Sequence, residues 1–195
     1  MRSAFLISKL GIILELVLAG KDLDLPTICP NIITRVQWNA RRPHAFDYLI
    51  IPVINVIIHH TVTPKCNTQE KCTAILREIQ NFHMDTLEFH DIGYNFMIGD
   101  DGRVYEGVGW HRIGAHTRGY NSRSIGIALI GNYTDILPNS NMFLALKKLL
   151  ACGVELGELD KNYKLFGARQ VSGTASPGHR LFAEIKKWPH FTRNP

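Results

Sequence analysis

Between Tyr48 and Ile58 the chain is largely Ile and Val. A run this apolar, with no alternating polar face, reads as a strand buried on both sides. That demand constrains the chain more than any other feature. A strand covered above and below needs a sheet with helices on each face, and the rest of the sequence supplies them. Gln69 to about Thr86 places Cys72, Ile75, Leu76, Ile79, Phe82 and His83 at helical spacing, after a loop at Thr63–Thr68. Tyr94–Ile98 and Arg103–Glu106 read as two short strands joined by the turn Gly99-Asp100-Asp101-Gly102. Ile125–Ile130 reads as a central strand. Asn141–Leu156 is a helix with Phe143, Leu146, Leu149, Leu150 and Val154 on its inner side, and Leu181–Trp188 is a last short helix. Strands and helices mix along the chain. The expected fold class is α/β, a single domain with a central mixed β-sheet flanked by helices.

At 195 residues one domain with a proper core is expected. The net charge of +5 is scattered, with no Lys/Arg block of the kind that marks a nucleic-acid arm. Residues 1–20 read as a secretory signal peptide. Arg2 and Lys9 form the charged start, Leu10–Leu18 is apolar apart from Glu15, and Ala19 and Gly20 offer a cleavage site. A buried N-terminal helix is the rival reading. The apolar run is too short to span a bilayer, and no later segment spans one. Residues 21–31 read as a polar, Pro-containing tail before a domain at 32–195. The expectation is a secreted, extracellular protein with no nucleic-acid partner and no membrane span.

Four cysteines, an even number behind a signal peptide, favour disulfides, and four allow three pairings. Cys66 and Cys72 lie six residues apart where a loop meets a helix, so Cys66–Cys72 closes most easily. Cys29 then pairs with Cys152. The competing zinc knuckle lacks its paired C-x2-C spacing. Asn132-Tyr133-Thr134 is a glycosylation sequon.

The buried strand runs into His59 and His60. Adjacent strand residues point to opposite faces, so one of the two serves a given site. A zinc hydrolase needs three protein ligands and an open position for water, plus a group that moves protons or steadies an oxyanion. Tyr94 is a candidate for the last role.

The motifs now on the page resemble a known family. Val56–Thr61, Asp91-Ile92-Gly93-Tyr94-Asn95-Phe96, Asp101–Gly107, Gly114-Ala115-His116-Thr117, Tyr120-Asn121, Gly126–Gly131 and Trp188-Pro189-His190-Phe191 follow one another as in peptidoglycan recognition proteins. These share the fold of the N-acetylmuramoyl-L-alanine amidases, and the likeness covers about residues 32–191. Thr61-Val62-Thr63 ahead of Cys66, and Leu149–Val154, resemble the short secreted insect receptors that feed the Toll pathway.

The resemblance implies an amidase site at His59, Tyr94, Ala168, Thr174 and Ser176, set by His59 and two loops, Leu165–Gln170 and Thr174–Gly178. Amidase members hold zinc through His, His and Cys. Here the second and third positions are Ala168 and Ser176, so the site is vestigial, with no catalytic residues, no metal and no cofactor. A separate serine hydrolase on Ser176 lacks a visible base and orienting acid. What remains is an L-shaped groove for a muramyl peptide, lined by His60, Thr61, His83, Tyr94, Trp110, His116 and Asn121. His83, on the apolar side of its helix, reads equally as core. Specificity is expected from Glu88-Phe89, where a carboxylate repels the extra carboxylate of a diaminopimelate stem and pairs with a lysine ammonium. Arg123 would oppose that preference if it faced the groove. The implied function is a haemolymph receptor that binds peptidoglycan, preferably lysine-type, without zinc amidase activity. It would signal through a secreted recognition protein and serine proteases of the Toll cascade. A wall-fragment scavenger or decoy, and a wall hydrolase with a non-zinc mechanism, are the alternatives.

Overall fold

The computed structural model of the protein describes residues 29–195. The signal peptide and most of the tail expected at 21–31 lie outside the described residues. A six-stranded mixed sheet forms the centre, in the order β1-β4-β3-β5-β2-β6. Its strands are β1 (Ile32–Ile33), β2 (Val53–His60), β3 (Phe96–Ile98), β4 (Val104–Glu106), β5 (Ser124–Leu129) and β6 (Leu159–Gly167). Only β3 and β4 pair antiparallel, across the expected Gly99–Gly102 turn. The apolar run of the sequence is β2, flanked on both edges by parallel partners.

Helices α1 (Gln69–Asn81), α2 (Ser140–Glu155) and α3 (His179–Ile185) cover the sheet. Thr68 caps α1 by accepting a bond from Lys71 N–H, and Asn139 caps α2 by accepting one from Met142 N–H. The pleat of β2 divides the core. Val56 and Ile58 join Ile125, Ile127 and Leu129 in a layer completed by Met142, Leu146 and Leu149 of α2. On the other face Met97, Tyr105 and Ala128 pack with Trp38 and with Leu76 and Ile79 of α1. Ile57, Phe166 and Ala168 form a third small cluster.

Two features depart from the sequence reading. Leu165–Gly167, expected in a loop, is the end of strand β6, and the loop proper begins at the short turn Ala168–Gln170. The Asp160-Lys161-Asn162 segment disguises this strand. Its register against β2 shifts between Val53 and Asn55, a bulge that turns Lys161, Asn162 and Lys164 outward. The helix expected to run to Thr86 instead widens into one π turn, Phe82–Thr86.

Both expected disulfides, Cys29–Cys152 and Cys66–Cys72, are formed. No helix among the described residues is long and apolar enough to cross a membrane.

Candidate functional site

The C-terminal end of β2 opens into a cavity of about 350 Å³, lined by His59, His60, Thr61, Val62, Tyr94, His116, Ala168, Ser172, Thr174, Ala175 and Ser176. A second hollow of about 370 Å³ adjoins it, lined by Thr61, Thr63, Glu78, Ile79, Phe82, His83 and Tyr94. Thr61 and Tyr94 border both, so the two form one bent groove. A third hollow of about 330 Å³ contains Glu88, Phe89 and Val108. A larger one, about 750 Å³, lies between α2 and the C-terminal residues around Trp188 and holds none of the candidate residues.

A ladder of rings connects these spaces. Phe89 stands 5.5 Å from His83, His83 5.7 Å from Tyr94, Tyr94 5.3 Å from His59, and His59 5.3 Å from His116, centroid to centroid. The π turn carries His83, whose Nδ1 accepts the Gly93 N–H at 2.9 Å. Its remaining proton therefore sits on Nε2. The Thr117 hydroxyl lies 3.3 Å from His59 Nε2 and 3.1 Å from His116 Nδ1, joining the two imidazoles. Asn121 does not line the groove. Its Oδ1 accepts Thr117 N–H at 2.7 Å and so positions that bridge.

Burial keeps the ladder neutral. It pushes His83 and His116 down to about 4, and His59 well below the ordinary imidazole value with His116 and His60 adding to the effect. It pushes the Tyr94 hydroxyl up to about 12. Near pH 7 the groove offers uncharged donors and acceptors. His116 Nε2 is buried and has no partner among the described residues. Such an atom favours a ligand that supplies a hydrogen bond.

His60 behaves differently from its neighbour. As the pleat predicts, its ring turns away from His59, and its Nδ1 accepts the Tyr133 N–H at 3.1 Å. Yet the residue still borders the cavity, so both histidines contribute to one wall. The His60 N–H donates to Ser176 Oγ at 3.1 Å, which ties the Thr174–Ser176 loop to the end of β2.

Trp110 is a correction. It packs on Phe96 at 4.5 Å between ring centroids and against Gly153 of α2, outside the groove. Arg123 is exposed, stacks its guanidinium 4.3 Å over the Tyr120 ring, and borders none of the three hollows. Glu88 and Phe89 line their own hollow with Asp47, Asp91 and Val108. Among the described residues no Lys or Arg lines it. Asp91 there is already paired with Arg35 at 2.9 Å, which leaves Asp47 and Glu88 as its available carboxylates.

Several lining residues escaped the sequence reading. Val62 is exposed at the rim with φ of 59°, a left-handed conformation that a β-branched residue rarely adopts. Glu78, Phe82, Ser172 and Val108 are polar or apolar positions with no signal of their own.

The family model for N-acetylmuramoyl-L-alanine amidase matches residues 51–179. Over 193 residues the chain is 49% identical to peptidoglycan-recognition protein 2 of the beetle Holotrichia diomphalia, covering 98% of this chain and 99% of that one. The chain belongs to the peptidoglycan recognition protein family. Bumblebee PGRP-SA matches with a TM-score of 0.84 and 46% identity, over 86% of this chain and 100% of that one. A solved ectodomain complex of peptidoglycan recognition proteins LCa and LCx, bound to tracheal cytotoxin, matches with a TM-score of 0.82 and 45% identity, over 83% of this chain and 98% of that one.

The amidase match raises the question of zinc. Beside His59 the cavity presents the methyl of Ala168 and the hydroxyl of Ser176, while its other imidazoles, His60 and His116, place Nδ1 against Tyr133 N–H and the Thr117 hydroxyl. A methyl cannot ligate, and a hydroxyl is a poor zinc donor beside thiolate or imidazole. Among the described residues no group of three or more His, Cys, Asp or Glu is placed to hold a metal. The residues present do not fit the ion.

Proposed function

We propose that this chain is a secreted receptor that binds bacterial peptidoglycan without cutting it and hands the signal to Toll-type partners. The observation that carries the reading is the pairing of a complete groove with an incomplete ligand set: His59 remains, while Ala168 and Ser176 stand where amidase relatives carry His and Cys. Tyr94 and Thr174 then have no activated water to assist and serve as walls.

The groove chemistry suits a muramyl peptide. Neutral imidazoles of His83 and His116, the Tyr94 and Thr61 hydroxyls and the unpartnered His116 Nε2 match the amides and hydroxyls of a stem peptide. The related LCa–LCx pair carries tracheal cytotoxin, which supports a ligand-binding role for the shared fold. The lysine-type preference is supported by Asp47 and Glu88 beside Phe89, with no Lys or Arg among the described residues lining that hollow and Arg123 engaged on Tyr120. Secretion is supported by the leader-like N-terminus and by two disulfides. The recognition protein and proteases of a Toll cascade follow from the likeness to the short insect receptors.

Calorimetric titration with lysine-type and diaminopimelate-type muropeptides tests the reading. Tighter binding to the lysine type is the expected outcome. Stoichiometric zinc in the purified protein, or release of stem peptide from the sugar, would overturn it. A haemolymph activation assay separates a receptor from a decoy, because a decoy binds equally well and lowers the response.

A further inference from the structure

Asn132-Tyr133-Thr134 is the single Asn-X-Ser/Thr sequence of the chain, and it occupies the turn that leaves β5. We propose that Asn132 carries an N-linked glycan, and that this glycan stands beside the Thr61–Val62 rim of the groove and screens it.

Three observations support the modification. Asn132 is exposed, whereas Tyr133 beside it is fully buried, so the turn drives the asparagine side chain outward. Its Oδ1 accepts the Thr134 N–H at 3.1 Å, and its Nδ2 has no partner among the described residues. The acceptor nitrogen is thus presented on a local turn, with the hydroxyl-bearing residue of the sequon folded back towards it. Disulfide bonding places the chain in the compartment where such transfer occurs. In the transfer, Nδ2 loses a proton and bonds to the anomeric carbon of an oligosaccharide. The bond from that carbon to a polyprenyl diphosphate carrier breaks, and the diphosphate leaves with the electron pair.

Position gives the glycan its consequence. Gly131, the preceding residue, donates its N–H to Thr61 Oγ1 at 2.9 Å and accepts the Val62 N–H at 2.9 Å. Thr61 and Val62 line the groove. A sugar chain on Asn132 therefore emerges one residue from the rim, where it obstructs a cross-linked wall more than a soluble fragment. This second half rests on the peptidoglycan reading above.

Intact mass of the full chain secreted from insect cells, before and after peptide-N-glycosidase, tests the modification. A mass above that of the polypeptide, lost on treatment and absent in Asn132→Gln and Thr134→Ala but kept in Thr134→Ser, is the expected result. A mass equal to the polypeptide overturns the proposal. For the screening, Asn132→Gln should bind insoluble wall several-fold better than the glycosylated protein, with binding of soluble muropeptide unchanged. Equal wall binding overturns it. If neither protein binds wall or muropeptide, the peptidoglycan reading and the screening fall together, while the mass still decides the modification.

Discussion

His116 lies flat against Gly126 of β5, with its imidazole in the space that a Cβ on that glycine would occupy. The ring reaches the groove wall because the strand beneath it lacks a side chain. Gly126→Ala should therefore push His116 off the sheet and break the Thr117 bridge to His59. Muropeptide affinity is expected to fall tenfold or more in calorimetry. Thermal unfolding should show a loss of about 1–3 kcal/mol, as for overpacking elsewhere. Unchanged affinity would mean that His116 takes no part in binding.

Acid should weaken the fold through the same imidazoles. His83 and His116 titrate near 4 when folded and near 6.5 when unfolded. Between those values the unfolded chain binds protons that the folded one refuses. Stability from this source is intact above about pH 6.5 and declines as pH falls towards 4. Urea midpoints taken from pH 7 to pH 4 should drop along this arm, and His83→Gln should flatten it. An identical profile for the variant would remove His83 from the account.

The double substitution Ala168→His, Ser176→Cys should confer zinc binding that neither parent residue permits, measured as bound metal per chain. Some stability should be lost with it. Ala168 is fully buried, and the Ser176 hydroxyl accepts the His60 N–H, a bond of about 1 kcal/mol that a thiol replaces poorly. Absence of bound zinc in a folded double variant would show that the loops hold these positions too far from His59.

Charge reversal at Glu88 should invert ligand preference. Glu88→Lys is expected to weaken lysine-type binding several-fold and improve diaminopimelate-type binding, since only diaminopimelate adds a side-chain carboxylate to pair with the new cation. Arg123→Ala should change neither, because that guanidinium stacks on Tyr120. A strong effect at Arg123 with none at Glu88 would exchange the roles assigned to them.

Much of this was legible in the chain itself. The Ile/Val run of β2, the Gly99–Gly102 turn and the apolar stripe of α2 each carry a local signal, and a local signal survives into the fold. The His59 end of β2 was legible for the same reason. Strand β6 was not, because Asp160-Lys161-Asn162 has the chemistry of a turn and falls where the register against β2 shifts, between the pairs Val53–Leu159 and Asn55–Lys164. Trp110 was misplaced because its neighbours come from β3 and α2, and nothing near it in sequence signals them. The ring ladder was visible only as separate members. His83, Tyr94 and His116 arrive from a π turn and two loops, and the Gly114–Thr117 motif that contains Thr117 gives no sign that its hydroxyl joins two of the imidazoles.

The Cys29–Cys152 bond spans 123 residues, and that separation bears on how such a protein survives among proteases. A backbone cut anywhere between the two cysteines, including at the exposed Ile50 and Ile51, leaves both pieces covalently joined. A nicked molecule of this kind runs as one species until it is reduced, and its groove residues from His59 to His116 stay attached to the body that carries them. A cut between Cys152 and Ala168 is different: it leaves the segment bearing Ala168 and Ser176 held by non-covalent contacts alone, among them the His60 N–H bond to Ser176.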